Sequence, residues 1–463
     1  MKRICQLSVA VSLLLVTIPL YGGWIRTYGG EYGDRGKWVE QTSDGGYIIT
    51  GHFGLPYNPY LHQDLYLLKV DSVGDTLWAR NYWALPTHMA EGYCVQQTSD
   101  GGYVIVGMNF TRLWVLKTDE NGDTLWTLEW GVSGPCVREA QDDGYIITGS
   151  ASTQEYGYEL LVSKIDTGRV VWTREYGGEY RQEGTSLQLT SDGGYIVTGV
   201  TEQELGGPND PWLLKTDVDG DSLWARAYSV GDEELNARSD CVQETSDGGY
   251  IISGITNGSL FILKTDSVGD SLWARIYGDG VTDGTFRTSI CQTANGGYII
   301  ASTKRYSDST SAVWLLKANE LGDTLWTRTF GNAWDRNRSN CVQVTSDGGY
   351  IITGYMESYS PGGSKDILLI KTDSLGYVSV EEEPVMESVI QLSASLNRLS
   401  YDVPGEAQLT LYSADGRKVL EETIEGKGIW TPSPPSSLLP AGVYFARVKS
   451  NSSSAVGKIV ILH

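Results

Sequence analysis

Regular helical spacing of apolar residues is nearly absent from these 463 residues, and basic residues are scarce: 35 Lys and Arg stand against 57 Asp and Glu, a net charge of −22. The first absence argues against helical layers in the fold. The second argues against nucleic acid or an anionic membrane as the main partner, since both are recognised through clustered positive charge. Only four histidines occur, His52, His62, His88 and His463. None has metal-ligand spacing, and HExxH pairs, phosphate-cradling glycine loops and nucleophile elbows are all missing. Neither a metal nor a cofactor is therefore expected. Long apolar runs are confined to residues 4–20, behind Lys2 and Arg3 and ahead of Tyr21-Gly22-Gly23. That is the pattern of a cleaved signal peptide over residues 1–23, and Ser8, Ser12, Thr17 and Pro19 weaken the run as a membrane span. Losing Lys2 and Arg3 with it takes the charge from −22 to −24.

What the chain has in quantity is 56 Gly, 28 Tyr and 15 Trp, a composition that favours strands and tight turns. These residues are organised by one phrase, Thr42 to Gly51, TSDGGYIITG. It recurs in seven versions centred on Tyr47, Tyr103, Tyr145, Tyr195, Tyr250, Tyr298 and Tyr350, spaced 42 to 56 residues apart, the period of a repeat array or propeller. Each copy reads as four strands. Strand A precedes the Ser-Asp-Gly-Gly turn, strand B is GGYIITG, strand C is the LLK run, and strand D is the LWAR run after a turn such as Asp71-Ser-Val-Gly-Asp75. Asp and Gly supply the conformations that such hairpins need.

Strand D carries the signature Trp-x-Arg-x-Tyr, as in Trp78, Arg80 and Tyr82. The seventh copy lacks it, whereas Trp24-Ile-Arg-Thr-Tyr28 stands alone before the first copy. Six complete repeats, one short of its last strand and one orphan copy of that strand add up to a ring of seven blades closed by the N-terminal strand. Period 2 places Trp78, Arg80 and Tyr82 on one face, where the guanidinium can stack on the rings. The strand C lysines Lys69, Lys117, Lys164, Lys215, Lys264, Lys317 and Lys371 recur in every copy and read as serving the blade. The turns at Asp119 and Asp217 resemble the start of a calcium loop, but position twelve falls on Trp130 and Tyr228 in place of Glu, so they read as hairpins. Cys94, Cys136, Cys241, Cys291 and Cys341 all fall on strand A pointing the same way. A separation near ~10 Å, the sheet-packing distance, would keep them free thiols.

The unit D-x-G-G-Y-I-I-T-G followed by L-L-K-x-D-x-x-G-D-x-L-W-x-R-x-Y-G resembles the β-propeller repeat of bacterial secreted and surface proteins, and more distantly NHL and quinoprotein-type repeats. The resemblance runs from Trp24 to about Tyr377. It implies a seven-bladed all-β propeller over residues 24–379, an extracellular habit, and strand A at the axis. An acidic, proline-containing linker (380–387) follows. The tail 388–463 alternates strands around Asp415-Gly-Arg417, Gly442-Val-Tyr444 and Lys458-Ile-Val, which reads as a small β-sandwich. It resembles the C-terminal sorting domain of the type IX (Por) secretion system, departing from many relatives in having Asn397-Arg398 where they begin with Asn-Pro. That resemblance implies contact with the secretion machinery and delivery to the outer surface of a bacterium.

Variation between copies concentrates in the B to C and D to A connections, which share one face of a propeller. Trp83, Tyr180 and Trp334, with Arg181 and Arg336 beside them, and Tyr57 and Tyr60 in the first B to C connection, are the candidate binding residues, since aromatics with arginine suit a glycan or protein ligand. A monomeric binding or adhesion module is the leading expectation. An extracellular polysaccharide hydrolase or lyase is the alternative, because carboxylate pairs assemble only in three dimensions.

Overall fold

The computed structural model describes residues 23–55, 63–83, 89–130, 133–142, 144–153, 157–178, 180–202, 204, 207–231, 236–278, 287–306, 310–331, 336–357, 364–378, 391–395, 397–413, 417–432, 439–449 and 454–461. The expected signal peptide lies outside them up to residue 22. The chain divides into two compact units, 1–379 and 380–463. Every regular element among the described residues is a strand.

In the first unit the repeats become antiparallel four-stranded sheets, each in the order A-B-C-D. Sheets I to V occupy residues 35–82, 90–130, 133–176, 182–227 and 237–277. Sheet VI (289–330) and sheet VII (336–372) are joined through one parallel bridge, Ser311 with Arg336. Sheet VII takes its fourth strand from the N-terminus: β1 (Trp24–Tyr28) pairs antiparallel with strand C of that sheet, Trp24 opposite Lys371 and Tyr28 opposite Ile367. Sheet packs on sheet through strands B and C, which are buried on both faces, so their residues read as continuous apolar runs such as Ile48, Ile49, Leu67 and Leu68 without alternation. This is the arrangement of a β-propeller.

The turns between A and B explain the conserved phrase. Thr42 N–H donates to Gly46 O at 2.9 Å, the Thr42 hydroxyl donates to Asp44 Oδ1 at 2.5 Å, and Gly45 sits at φ 82°, a conformation that glycine adopts without strain. Lys69 Nζ lies 2.8 Å from Asp44 Oδ2, clasping strand C to the turn. The same clasp joins Lys117 to Asp100 at 2.9 Å, Lys215 to Asp192 at 2.9 Å, Lys264 to Asp247 at 3.0 Å and Lys371 to Asp347 at 2.7 Å, and also joins Lys164 to Asp142. Against the upward push of partial burial, the Lys69 ammonium and the Thr42 hydroxyl hold the Asp44 carboxyl at about 2. Asp71, Asp119 and Asp217 each accept two backbone N–H groups of their own hairpin at 2.8 to 3.0 Å, so these carboxylates shape turns.

Contacts between sheets repeat as well. The strand D Tyr82 hydroxyl donates to Gly122 O of the next sheet at 2.5 Å, Tyr228 to Gly269 O at 2.7 Å and Tyr277 to Gly322 O at 2.5 Å. Trp78 packs edge-on against Tyr103 at 5.8 Å between ring centroids. β1 makes the same two contacts with sheet I: Tyr28 donates to Gly74 O at 2.6 Å and Trp24 meets Tyr47 at 6.0 Å. Arginine stacks on the strand D tryptophan in several sheets, with Arg80 5.7 Å from Trp78 and Arg328 4.9 Å from Trp326.

In the second unit Arg398–Ser413, sixteen residues long, pairs with Gln391–Ser395, Lys418–Trp430 and Gly442–Lys449, and the last pairs with Ser454–Ile461. All five strands thus belong to one hydrogen-bonded sheet, continued through an irregularity between Asp402 and Glu406. Leu399, Leu409, Leu411, Trp430, Ala446 and Ile459 form its core.

Candidate functional site

Strands A of the first unit converge on a common cavity. Its volume is about 160 Å³, and its wall includes Trp38, Glu40, Arg138, Gln188, Cys241 and Gln343 from five sheets. Two positions of strand A point inward, and several of their residues line the cavity. The next-to-last residue is Glu40, Gln96, Arg138, Gln188, Gln243, Cys291 or Gln343, and the one two places earlier is Trp38, Cys94, Cys136, Ser186, Cys241, Ser289 or Cys341. Glutamines knit neighbouring strands: Gln96 Oε1 accepts from Glu139 N at 2.7 Å, Gln188 from Glu244 N at 2.6 Å and Gln243 from Gln292 N at 2.5 Å. The cavity is smaller than the ~300 to 1,000 Å³ of pockets that enclose drug-sized ligands.

Arg138 and Glu40 are the charged exceptions in the inner ring. The Arg138 guanidinium lies 5.0 Å from the Trp38 ring and donates to Cys94 Sγ at 3.0 Å. Burial pushes the Glu40 carboxyl up to about 7, with Arg138 opposing.

The cysteine spacing expected from the sequence is corrected here. Cys94 and Cys136 Sγ stand 3.9 Å apart, far closer than the sheet-packing distance. Sheets stack face to face further out, but strand A is where they converge, and side chains aimed at the axis meet. The five thiols are nevertheless free in the structure. Burial pushes Cys94, Cys241, Cys291 and Cys341 up, Cys341 to about 12. Cys136 moves the other way, because the Cys94 thiol donates to it and Arg138 lies beside it.

The face of the D to A connections, at the other end of strand A from the residues that line this cavity, is far more varied. Glu91 accepts from Lys37 at 3.0 Å and contacts His52 Nδ1 at 2.8 Å. Burial holds His52 below its ordinary range, while Lys37 and His52 hold Glu91 low against burial. Asp240 is buried with Thr288 N at 3.0 Å and Arg238 Nε at 3.1 Å; desolvation raises its carboxyl. At the seam of sheets VII and I, the Tyr355 ring is contacted by Arg35 at 4.9 Å and by Arg338 at 5.4 Å. Lys365 lies 3.8 Å from Glu357, and Glu357 is directly opposite both Lys365 and Arg336 in the register. Among the described residues no three His, Cys, Asp or Glu side chains come together as metal ligands would.

The residues singled out from the sequence do not form one cluster. Arg336 joins the Arg35, Arg338 and Lys365 group. Trp83 is 57% exposed, separate from it. Tyr180 is half-buried, and Arg181 is occupied by Glu183 at 2.7 Å while stacking 5.8 Å from Tyr158. Tyr57, Tyr60 and Trp334 lie outside the described residues. The missed residues share one strand A position, six before its end: Arg35, Arg238 and Arg338 in three sheets, Glu91 and Glu183 in two others. Charge that differs from copy to copy at one repeat position was the available signal.

Residues 388–462 match the family described as "Secretion system C-terminal sorting domain". No curated protein matches the chain. Solved structures similar to it include a streptogramin B lyase (11% identity, TM-score 0.49, covering 75% of this chain and 98% of that one). Another is the NanB sialidase from Streptococcus pneumoniae (10%, 0.43, 77% and 69%). A third is YCF48 bound to D1 peptide (10%, 0.46, 76% and 97%). At these identities no activity passes from them to this chain. The tail, by contrast, is specific: this chain is a bacterial protein carrying a type IX C-terminal sorting domain, which engages the secretion machinery and marks it for secretion and attachment at the outer surface.

Proposed function

We propose that this is a surface-displayed binding or adhesion protein: a signal peptide (1–23), a seven-bladed propeller (24–379) closed by β1, a linker (380–387) and a β-sandwich sorting domain (388–463) whose single sheet folds over on itself, acting as a monomer. Ring closure is supported by β1 repeating on sheet I the Trp and Tyr contacts that other sheets make with their neighbours, and by Ser346 N donating to Gln41 Oε1 at 2.7 Å as Ser191 N does to Glu244. The observation that carries the binding role is the division of labour between faces. The repeated residues are consumed by turns, clasps and sheet packing, whereas the D to A face gathers charges and exposed aromatics that differ from blade to blade. Its ligand is an extracellular glycan or protein held at the D to A face, with Trp83, Tyr180, Arg181 and Arg336 in reach. Tyr57, Tyr60 and Trp334 belong to connections of that face in sequence.

A second reading, a polysaccharide hydrolase or lyase, is favoured by one feature: the Glu40 and Asp240 carboxyls are both raised by burial, as acid catalysts are. A glycan and peptide array with the purified full chain decides between them. Binding without product, weakened in Trp83→Ala and Arg336→Ala at nearly unchanged melting temperature, supports the binding role. Sustained turnover of a bound polysaccharide, lost in Glu40→Gln, transfers the protein to the enzyme class.

A further inference from the structure

We infer that Cys94 and Cys136 form a redox site at the axis, a buried dithiol that a small peroxide oxidises to a disulfide, tying strand A of sheet II to strand A of sheet III. Of the seven residues at this strand A position, Trp38, Cys94, Cys136, Ser186, Cys241, Ser289 and Cys341, only Cys94 and Cys136 are cysteines in neighbouring sheets. Their sulfurs stand 3.9 Å apart. Bonding length is about 2.0 Å, so an approach of about 1.9 Å closes the bond, which side-chain rotation at converging strands can supply. The site does not depend on what the D to A face binds, and the sorting tail directs the chain to surroundings in which disulfides persist.

The surroundings make Cys136 the attacking sulfur. The Cys94 thiol donates to Cys136 and Arg138 lies beside it; together they hold the Cys136 thiol below its ordinary range against burial, whereas burial raises Cys94. Arg138 Nη1 donates to Cys94 Sγ at 3.0 Å and to Val137 O at 2.6 Å. Four other sheets carry glutamine in the place of Arg138, and Gln96, Gln188 and Gln243 there accept from a backbone N–H of the next sheet. Sheet III gives up that acceptor and sets a cation on the thiol pair, and a cation beside a thiolate makes cysteine nucleophilic at neutral pH. At Cys241, Cys291 and Cys341 burial dominates and raises the thiols.

Access selects the oxidant. Cys94 and Cys136 are 0% and 1% exposed, too enclosed for a bulky disulfide reagent, but the axial cavity of about 160 Å³ has Arg138 in its wall and admits hydrogen peroxide, roughly the size of two waters of about 30 Å³ each. The Cys136 thiolate attacks one peroxide oxygen, the O–O bond breaks, and the leaving hydroxide takes up the proton that the thiol lost, giving water and a sulfenic acid on Cys136. Cys94 Sγ then attacks Cys136 Sγ; the S–S bond forms, the S–O bond breaks, and the hydroxyl leaves as water with the Cys94 proton. Two thiols and one peroxide thus give one disulfide and two waters, with two electrons passing from sulfur to oxygen.

The test treats the folded, reduced full chain with equimolar hydrogen peroxide, alkylates the remaining thiols under denaturing conditions, and maps the peptides by mass spectrometry. A linked Cys94–Cys136 peptide that dithiothreitol releases is expected, with Cys241, Cys291 and Cys341 alkylated. Cys94→Ser should stop at the sulfenic acid on Cys136, captured by dimedone. Arg138→Gln should slow formation of the bond about tenfold at unchanged melting temperature, with Arg138→Lys between it and the unaltered chain because it keeps the charge. Mapping the unaltered chain decides the matter even if a variant fails to fold. Full alkylation of Cys94 and Cys136 after peroxide, oxidation spread evenly over the five thiols, or a link to another cysteine overturns the inference, and an unchanged rate in Arg138→Gln overturns the assignment of Arg138 as the group that activates Cys136.

Discussion

The two faces of the first unit are built on opposite principles. On the turn face, carrying the A to B and C to D hairpins, nearly every polar group is answered within a few residues or by the adjacent sheet. Asp44 serves Thr42, Gly46 and Lys69 at once, and Asp100, Asp192, Asp247 and Asp347 repeat the arrangement. On the loop face, one equivalent position carries Arg in three sheets and Glu in two others. Repetition thus marks what stability requires, and departure from repetition marks what is free to recognise something.

The comparison is broken most severely at β1. Removing residues 24–29 takes away Trp24, the Tyr28 bond to Gly74 and the pairing of the last strand of sheet VII. Lost apolar burial and two open edges should cost several kcal/mol, on the order of 3 to 6. Denaturant unfolding of the deleted and intact chains checks this, and equal midpoints would remove the ring closure.

An intermediate effect is expected at the axis, where neither rule holds fully. Glu40 has a folded value of about 7, above the ordinary 4.5. A raised acid contributes stability that is present below its unfolded value and lost as pH rises through the folded one, so stability should fall between about pH 4.5 and 7. Glu40→Gln should flatten that fall and raise stability at pH 8 by about 1 to 2 kcal/mol. Thermal melting across pH 4 to 8 measures it; parallel profiles for the two proteins would show that Arg138 already neutralises the carboxylate.

The smallest effect sharpens the comparison from within the turn face. Sheet VI alone replaces the clasp aspartate by Asn295, and Lys317, buried on strand C, is left with the Thr293 hydroxyl and the Asn295 amide oxygen at 3.4 Å. Burial lowers its ammonium to about 8. Its folded value lies below the unfolded one, so stability should rise as pH climbs from about 8 toward 10.5. Asn295→Asp restores the pattern of the other sheets and should stabilise by about 0.5 to 1 kcal/mol at pH 7 while removing that rise. No gain would mean that the clasps organise turns without contributing net stability.

The sequence by itself determined the repeat, the four strands of each copy, the turn chemistry and the identity of β1 as a strand D, because these depend on period 2, on Asp-Gly conformations and on neighbours a few residues away. The sorting tail was legible for the same reason: its turn and terminal strand are short motifs. Only the tertiary structure decided how close the axial groups come. Cys94 and Cys136, 42 residues apart, touch because inner strands converge, and a spacing taken from face-to-face packing missed that. The candidate site was least legible. Arg35 and Arg338 are 303 residues apart and meet on Tyr355 only once the last sheet stands beside the first. Trp83 and Arg181, chosen for residue type within their loops, lie apart from that cluster. A loop residue's chemistry is local, but its company is set by which sheet becomes its neighbour, and that is a property of the closed stack of sheets.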